Sequence, residues 1–367
     1  MRYRVDEAHQ VDQSAHASAT HNAVSMPQTD LFGALIENDG KCELFSMESL
    51  ADLEARAKDD QKKPVRKTDK YELIADRLLK LGNLREYRFD GSVDKKLSAL
   101  ADSMPNYRPV IDMVEGALCY ARRCDEPLSL TPILLDGPPG IGKSYFANRL
   151  AEALSVPYSA HDMASASNSA CLAGSDSHWG NAEPGDVLAT LVNSHHISPV
   201  FVLDELDKAP SMGNSMPRSA LYSLLEPENS RRFRDRCLPV TVNASHAIWI
   251  ATTNNGHKML EPPLLTRFQC FDIAPPSIDQ RHKLAETLLD DALKKLNLGH
   301  IGVEAELFNN LASMNPRRQK QCLQILLGQL LKSQQHLLTL EMWPDYMSEY
   351  CEKEVEETNG IGFLASL

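Results

Sequence analysis

The hydrophobic positions of the chain follow two patterns, of which the first is strand-like. Three short apolar runs lack helical spacing: PILLD at 132–136, PVFVLD at 199–204 and HAIWIAT at 246–252. Each run predicts a buried strand, and helical stretches lie between the runs. Strands that are apolar on both faces belong in the middle of a parallel sheet covered by helices, so the pattern predicts an α/β fold.

The second pattern is helical. The segment DKYELIADRLLKLG has apolar residues at 71, 74, 78 and 81, and Gly82 suits the C-terminal cap of that helix. The segment YRPVIDMVEGALCYARRC repeats this spacing. After PSIDQ at 276–280, helical segments follow one another without a strand-like run, which predicts a small all-α domain behind the α/β domain.

These changes of pattern predict four parts of the chain. They are a poorly ordered polar N-terminal arm at 1–69, a helical linker at 70–103, an α/β domain at 104–276 and an all-α domain at 277–367. We expect disorder in the arm because its apolar surface is too small to offset the entropy of ordering it.

Composition limits the kinds of partner. The 367 residues include 38 Lys and Arg against 50 Asp and Glu, a formal charge of -12, which argues against a surface that grips nucleic acid everywhere. No apolar run is long enough to span a bilayer, the N-terminus lacks a signal-peptide core, and the eight cysteines include no C-x-x-C pair. We expect a cytoplasmic protein with reduced thiols and no membrane partner.

The segment LLDGPPGIGKSYFANRLA carries the chemistry of a phosphate site. It has G-x-x-x-x-G-K-[ST] spacing directly after a predicted strand and directly before a predicted helix. Backbone N–H groups of such a loop close around the β-phosphate of ATP, Lys143 bridges the β- and γ-phosphates, and Ser144 holds Mg²⁺. The predicted nucleotide-binding residues are Gly137, Pro138, Pro139, Gly140, Ile141, Gly142, Lys143, Ser144 and Tyr145. The alternative is a plain glycine turn that opens a helix.

A second motif, VFVLDELDK, ends a buried strand with two carboxylates. Asp204 and Glu205 come to the carboxyl edge of the predicted sheet, where ligands of such folds bind. Asp204 suits Mg²⁺ held through water, and Glu205 suits the orientation and deprotonation of an attacking water. Taken alone, the pair is also compatible with a simple N-terminal cap of the next helix.

Three further polar residues follow in order. Asn254 ends the third predicted strand, within reach of a γ-phosphate and its lytic water; by itself it is a turn former, like the neighbouring Thr252 and Thr253. Arg267 follows the short amphipathic stretch PPLLT, and Arg317 opens a predicted helix of the all-α domain. Either arginine alone is compatible with a solvated surface charge.

In this order the motifs resemble the AAA+ ATPases. The resemblance gives a Walker A motif at 137–144, a Walker B motif at 199–205, sensor 1 at Asn254, an arginine finger at Arg267 and sensor 2 at Arg317, with Arg318 as the alternative. It implies a P-loop parallel sheet flanked by helices at 104–276 and an all-α lid at 277–367. The stretches LLEPENSRRFRD and EPPLLTRF are similar to segments of the ATPase module of the Lon family. This resemblance covers about residues 104–335.

The Lon resemblance also implies a role for Trp179, in the turn-like stretch SDSHWGNAEPGD. In Lon-like modules an aromatic residue at this place lines a central channel and grips an extended polypeptide. His178 and Gly180 depart from the usual tyrosine-containing version. A local packing role, or a contact between subunits, are the alternatives for Trp179.

The resemblance implies a ring-forming, Mg-ATP-dependent protein unfoldase or remodelling motor. The expected partners are copies of the same chain, in a hexamer, and a protein substrate or partner effector. The residues after the lid leave no room for a Lon peptidase domain, so we expect an ATPase that is not itself a protease. Two alternatives stay open: a DNA-directed motor or loader using Arg231, Arg232, Arg234 and Arg236, and a nucleotide-gated regulatory switch.

Overall fold

The computed structural model describes most of the chain after residue 39. The described residues are 40–46, 69–166, 169–176, 182–210, 217–238, 240–254, 260–299, 301–333 and 335–344. All of them belong to the unit Asp39–Leu367.

The described strands and helices follow the chain in a mixed order. The strands are β1 Lys41–Glu43, β2 Leu84–Glu86, β3 Ile133–Asp136, β4 Tyr158–Asp162, β5 Val200–Asp204, β6 Phe233–Arg234, β7 Thr241–Val242, β8 Ile248–Thr253, β9 Gln269–Asp272, β10 Gly302–Val303 and β11 Leu337–Leu338. The α-helices are α1 Asp69–Leu81, α2 Val93–Ser103, α3 Arg108–Cys124, α4 Lys143–Leu154, α5 Ala170–Ala173, α6 Asp186–Asn193, α7 Leu221–Leu224, α8 Pro227–Ser230, α9 Pro262–Leu265, α10 Ile278–Lys295, α11 Ala305–Ser313 and α12 Pro316–Ser333.

A parallel sheet of five strands forms the centre of the α/β region, which confirms the predicted fold. Its strand order is β4-β5-β8-β3-β9. The three strands predicted from apolar runs are β3, β5 and β8, and they occupy the three inner positions. Leu203 of β5 pairs with Ala251 of β8, and Asp136 of β3 pairs with Thr253 of β8. The carboxyl ends of these three strands therefore meet at one edge of the sheet.

Both faces of the sheet are buried. Alternate side chains of β5 and β8 point to opposite sides, so Phe201 and Trp249 belong to one apolar core while Val202 and Ile250 belong to the other. The Phe201 and Trp249 rings stack with centroids 4.8 Å apart. Helices α1, α6 and α7 contribute to the first core, and α2, α3 and α4 contribute to the second. The sheet thus lies between two helical layers.

One stretch differs from the sequence expectation, and a second is helical as expected but also packs into a core. Residues 40–46 fall in the segment expected to be a poorly ordered arm, yet β1 pairs with β2 and both Leu44 and Phe45 are buried. Helix α2 falls in the expected linker, and its Leu97 and Leu100 are buried in the same core as α4. In both places apolar side chains find a distant surface that the local sequence pattern does not reveal.

The described residues after 277, which end at residue 344, are mainly helical, as predicted, with one short addition. Helices α10, α11 and α12 share their own apolar core, and the strands β10 and β11 form a parallel pair beside it. Tyr145 of α4 packs against this core and against the core of the sheet. Across the part of the chain that the structure describes, no helix is long and apolar enough to cross a membrane.

A buried carboxylate holds the loop between α5 and α6. Asp235, which is 1% exposed, accepts hydrogen bonds from the backbone N–H groups of Gly185 (2.8 Å), Cys237 (2.8 Å) and Leu238 (3.1 Å). In the same loop, the Ser175 N–H donates to the Glu183 carbonyl at 3.0 Å. Residues 177–181, which include Trp179, lie between these anchored ends and outside the described residues.

Burial raises the pKa of the Asp235 carboxyl from 3.8 to about 6, against the opposing effect of its backbone hydrogen bonds and of Arg236. Between these two pKa values the native state binds a proton that the unfolded state has lost. This carboxyl therefore lowers the free energy of unfolding as pH rises through that range. From pH 5 to pH 7.5 the decrease is about 1 kcal/mol, because one pKa unit corresponds to about 1.4 kcal/mol.

The first prediction concerns Asp235→Asn. The variant lacks this titration, so its melting temperature relative to that of the unmodified protein should rise by roughly 2 °C between pH 5 and pH 7.5. Thermal unfolding in matched buffers measures the difference, in which the other titrations cancel. Asp102→Asn, at an exposed carboxylate on α2, is the control whose difference should stay constant. A constant difference for Asp235→Asn would contradict the assignment.

Candidate functional site

A loop of six residues joins β3 to α4 at the carboxyl edge of the sheet. Gly140 and Gly142 have φ of +83° and +95°, a backbone conformation that favours glycine, and α4 begins directly afterwards at Lys143. The predicted phosphate-binding loop thus has the strand-loop-helix setting that its motif requires. The first N–H groups of α4 have no partner within the helix, and they follow directly after this loop.

The Lys143 ammonium is buried in this loop. Its Nζ donates to the carbonyl oxygens of Gly137 (2.7 Å) and Pro138 (2.9 Å) and to Asn254 Oδ1 (2.9 Å), and the residue is 6% exposed. Burial lowers the pKa of Lys143, and the carboxylates of Asp136 and Asp204 oppose that effect. The N–H groups that donate to these two carbonyl oxygens could instead donate to the oxygens of a phosphate group.

Asp204 ends β5 and lies beside the start of α4. Ser144 Oγ donates to Asp204 Oδ1 at 2.8 Å, and the Thr252 hydroxyl donates to the same oxygen. A serine hydroxyl next to a carboxylate supplies the hard oxygen ligands that Mg²⁺ prefers. The donor set of Ser144 and Asp204 therefore fits a magnesium ion.

Glu205 follows in a left-handed conformation, with φ +53° and ψ +46°. Its N–H donates to Thr252 Oγ1 at 3.0 Å. Its Oε1 accepts from Asn254 Nδ2 at 3.3 Å and lies 2.8 Å from Lys208 Nζ. Asn254 therefore bridges the Lys143 ammonium on one side and the Glu205 carboxylate on the other.

Sequence reasoning missed Thr252 and Lys208 as parts of this site. Thr252 ends the third predicted apolar run and taken alone is a turn former; in the structure it lies inside β8, is 1% exposed and contacts both Asp204 and Glu205. A polar residue among the last positions of a buried strand is the signal that indicates a role in a site at the carboxyl edge of the sheet. Lys208 lies three residues after Glu205 on a short 3₁₀ turn, and its charge alone did not reveal the pairing.

The start of α12 lies beside the loop. A cleft of about 390 Å³ is lined by Pro139, Gly140, Asn315, Arg317, Arg318 and Gln321. A Cβ atom at Gly140 would lie 3.6 Å from Asn315 Oδ1 and 3.9 Å from Arg317 Cβ. The lid region thus brings both arginines considered for sensor 2 to the edge of the loop.

Tyr145 and Arg267 have contacts away from this cluster. The Tyr145 hydroxyl donates to Asp291 Oδ2 on α10 at 3.5 Å, so its side chain contacts the lid region rather than the loop. Arg267 Nε lies 3.2 Å from Glu226 Oε2, and the Arg267 guanidinium lies 5.4 Å from the centre of the Tyr222 ring. The structure thus joins Lys143, Ser144, Asp204, Glu205 and Asn254, and it holds Arg267 elsewhere.

Comparison with known proteins gives the family of the central region. Residues 133–274 match the family described as "ATPase family associated with various cellular activities (AAA)". Lon protease of Clostridium beijerinckii is 32% identical over 161 residues, which cover 44% of this chain and 20% of that protein. The peroxisomal Lon protease homolog 2 of Caenorhabditis elegans is 30% identical over 198 residues, which cover 53% of this chain and 26% of that protein.

The similarity is therefore partial. The chain spans about a fifth to a quarter of the length of these Lon relatives. Solved structures of Thermotoga maritima RuvB are 16% identical and cover 64% of this chain and 66% of the RuvB chain at a TM-score of 0.43, a value too low to add to the argument. The family match and the loop at the sheet edge lead to the same conclusion: the chain contains an AAA+ ATPase domain of the P-loop fold, related over part of its length to the ATPase region of Lon proteases.

Proposed function

We propose that this protein is a Mg-ATP-dependent AAA+ ATPase that works as a ring-forming protein unfoldase or remodelling motor. One observation carries the ATPase part of the proposal: Lys143, Asn254 and Glu205 form a continuous polar chain beside the Ser144–Asp204 pair. That arrangement supports the proposal, because a cation suited to phosphates, oxygen ligands suited to magnesium and a carboxylate suited to activating water lie within one cluster.

Each residue has a distinct part in the proposed hydrolysis. Magnesium, when bound, neutralises charge on the β- and γ-phosphates, and Ser144 and Asp204 are the residues that would hold it. Lys143 exchanges its loop carbonyls for phosphate oxygens. Glu205 takes a proton from the attacking water, and Asn254 orients that water. Glu205 must leave Lys208 to act, because the Lys208 ammonium occupies the carboxylate oxygen Oε1 that would otherwise be open to the attacking water.

The remaining cations act at the boundaries of the site. We propose that Arg267 enters the site of the neighbouring subunit, where an arginine stabilises the charge of the transition state. This role agrees with its contacts to Glu226 and Tyr222, which lie outside the Lys143 cluster of its own subunit. Arg317, at the cleft between α12 and the loop, senses the γ-phosphate and turns the lid region; Arg318 is the alternative.

The motor part of the proposal rests on the Lon similarity and on Trp179. In this proposal a hexamer of the chain encloses a channel, and Trp179 grips an unfolded polypeptide through its apolar ring. The partner is thus a protein, and the chain is a cytoplasmic ATPase that moves it without cutting it.

The second prediction tests Glu205. Glu205→Gln should keep ATP affinity within about twofold and lower the steady-state ATPase rate by about 100-fold or more, because the amide cannot accept a proton. Equilibrium binding of a fluorescent ATP analogue and a coupled phosphate assay measure the two quantities. Glu228→Gln, on an exposed part of α8, is the matched control. Normal hydrolysis by Glu205→Gln would exclude Glu205 as the base.

The third prediction tests the shared site. Arg267→Ala and Glu205→Gln should each be inactive alone. Mixing them equally should restore hydrolysis to at most about a quarter of the unmodified rate, since that share of head-to-tail interfaces pairs an intact Glu205 with an intact Arg267. Arg234→Ala, at an exposed arginine, is the control for loss of charge. A monomer of Arg267→Ala that hydrolyses ATP at the unmodified rate would contradict the proposal.

The fourth prediction tests Trp179. Trp179→Ala should keep the basal ATPase rate within about twofold and lose most of the unfolding of a fluorescent reporter protein, because the grip depends on the apolar ring. Trp179→Tyr should restore much of that unfolding. Fluorescence loss gives the rate, and gel electrophoresis of the same samples should show an intact reporter. Equal unfolding by Trp179→Ala and the unmodified protein would eliminate the grip.

A further inference from the structure

Arg218 joins two segments that the proposed mechanism uses separately. Its Nη2 donates to the carbonyl oxygens of Leu206 (2.9 Å) and Asp207 (3.2 Å), and its Nη1 donates to Glu261 Oε1 at 3.0 Å. Leu206 and Asp207 belong to the 3₁₀ turn that begins directly after Glu205, and Glu261 is the N-terminal cap of α9. One planar guanidinium thus holds the turn behind Glu205 and the start of α9 in a fixed relation.

The residues after Arg218 lead to Arg267. We call residues 218–226 the connecting segment; it contains the end of a 3₁₀ turn and helix α7. Tyr222 and Glu226 of this segment contact Arg267, through the ring and through an ion pair of 3.2 Å. The Arg267 guanidinium also donates to the Pro263 carbonyl oxygen of α9. The connecting segment therefore touches the Glu205 turn at one end and Arg267 at the other.

The Arg218 end of this connection is rigid for a physical reason. Its side chain is 5% exposed, so water cannot replace a partner that moves away. An unpaired guanidinium in that position would incur a desolvation penalty, so the turn, Arg218 and Glu261 have to move together. The Arg267 end is softer, because the Arg267 side chain is 26% exposed against 5% for Arg218; the glutamate partners Glu226 and Glu261 are similarly exposed, at 42% and 40%.

We propose that Arg218, through Glu261 and the connecting segment, is a positioning residue that couples the state of a subunit's own nucleotide site to the placement of its Arg267. The inference rests on the proposed function, in which Arg267 acts on the neighbouring site. When Glu205 exchanges Lys208 for the attacking water, the turn 206–208 changes with it, and Arg218 passes the change to α9 and Arg267. Hydrolysis of ATP at one site of the ring then depends on the state of the neighbouring site.

The fifth prediction uses Arg218→Lys. Lysine keeps the positive charge but replaces the two separate Nη groups of the planar fork with one compact ammonium, so it cannot hold the turn carbonyls and Glu261 in the same fixed geometry. Arg234→Lys, at an exposed arginine of β6, is the matched control. For each of these two variants, a second protein is made that also carries Glu205→Gln and therefore has a blocked site. It is mixed with the variant that keeps Glu205, and the fraction of blocked subunits is increased stepwise. The measured quantity is the ATPase rate against the fraction of blocked subunits.

In the Arg234→Lys background, a blocked subunit also stalls its neighbours, so an equal mixture should retain less than about a quarter of the rate. In the Arg218→Lys background a blocked subunit should affect only its own site, so the equal mixture should retain about half. A merely destabilising substitution lowers the rate without changing the shape of this curve. The affinity for the ATP analogue, measured on the same samples, should stay within about twofold.

A second variant guards against misfolding at the buried site. Glu226→Gln acts at the softer end of the connecting segment and should also give a proportional curve, with Glu228→Gln as its control. Equal curves for Arg218→Lys, Glu226→Gln and their controls would overturn the coupling. If Arg267→Ala leaves hydrolysis intact, it is the shared site that fails; if Arg267→Ala abolishes hydrolysis and the curves stay equal, only the coupling fails.

Discussion

The buried ammonium of Lys143 is the interaction on which the geometry of the site depends. A cation that is 6% exposed has to be surrounded by acceptors, and the acceptors here come from two different strands: carbonyls of the loop after β3 and the amide oxygen of Asn254 after β8. Once its oxygen is engaged by Lys143, the Asn254 amide turns its nitrogen toward Glu205. The need to satisfy one buried charge thus orients Asn254 and the proposed base Glu205 together, and the parallel sheet brings their strand ends to the same edge.

The extent to which the sequence predicted this structure follows from the range of the interactions involved. The runs that became β3, β5 and β8 are apolar on both faces and could be recognised locally, as could the glycine spacing of the loop. Strands β4 and β9 could not, because as edge strands they keep exposed residues and lack that signature. The Arg218–Glu261 pair joins residues 43 positions apart, and no periodicity or motif in the sequence connects them. The structures of the β1 stretch and of α2 likewise depend on packing against apolar residues that are distant in the sequence.

Tyr145 illustrates how a correct motif can leave a side chain unassigned. It follows Ser144 in the first turn of α4, where its backbone N–H is available to a phosphate. Its ring, however, packs between the core of the sheet and the core of the lid region, and its hydroxyl donates to Asp291. Arg149 of α4 also lies 3.3 Å from the same Asp291 carboxylate. The helix that begins at the phosphate loop is therefore fastened to α10, so a displacement of that loop and a displacement of the lid region are mechanically linked.

The two ends of the connecting segment differ in what it takes to separate them. Ion pairs between partly exposed groups contribute about 0–1 kcal/mol, so the Arg267–Glu226 contact can open at little cost. Leaving a buried charged group without its hydrogen-bond acceptor costs about 1–3 kcal/mol or more, which keeps Arg218 attached to the turn behind Glu205. In the proposed coupling, a displacement of the turn therefore does not break the contacts of Arg218. It moves the connecting segment instead, and the weaker Arg267–Glu226 contact is the one that opens. That weakest contact holds Arg267, whose proposed target lies in another subunit. The contacts of the connecting segment are therefore strong beside the nucleotide site and weak beside the neighbouring subunit.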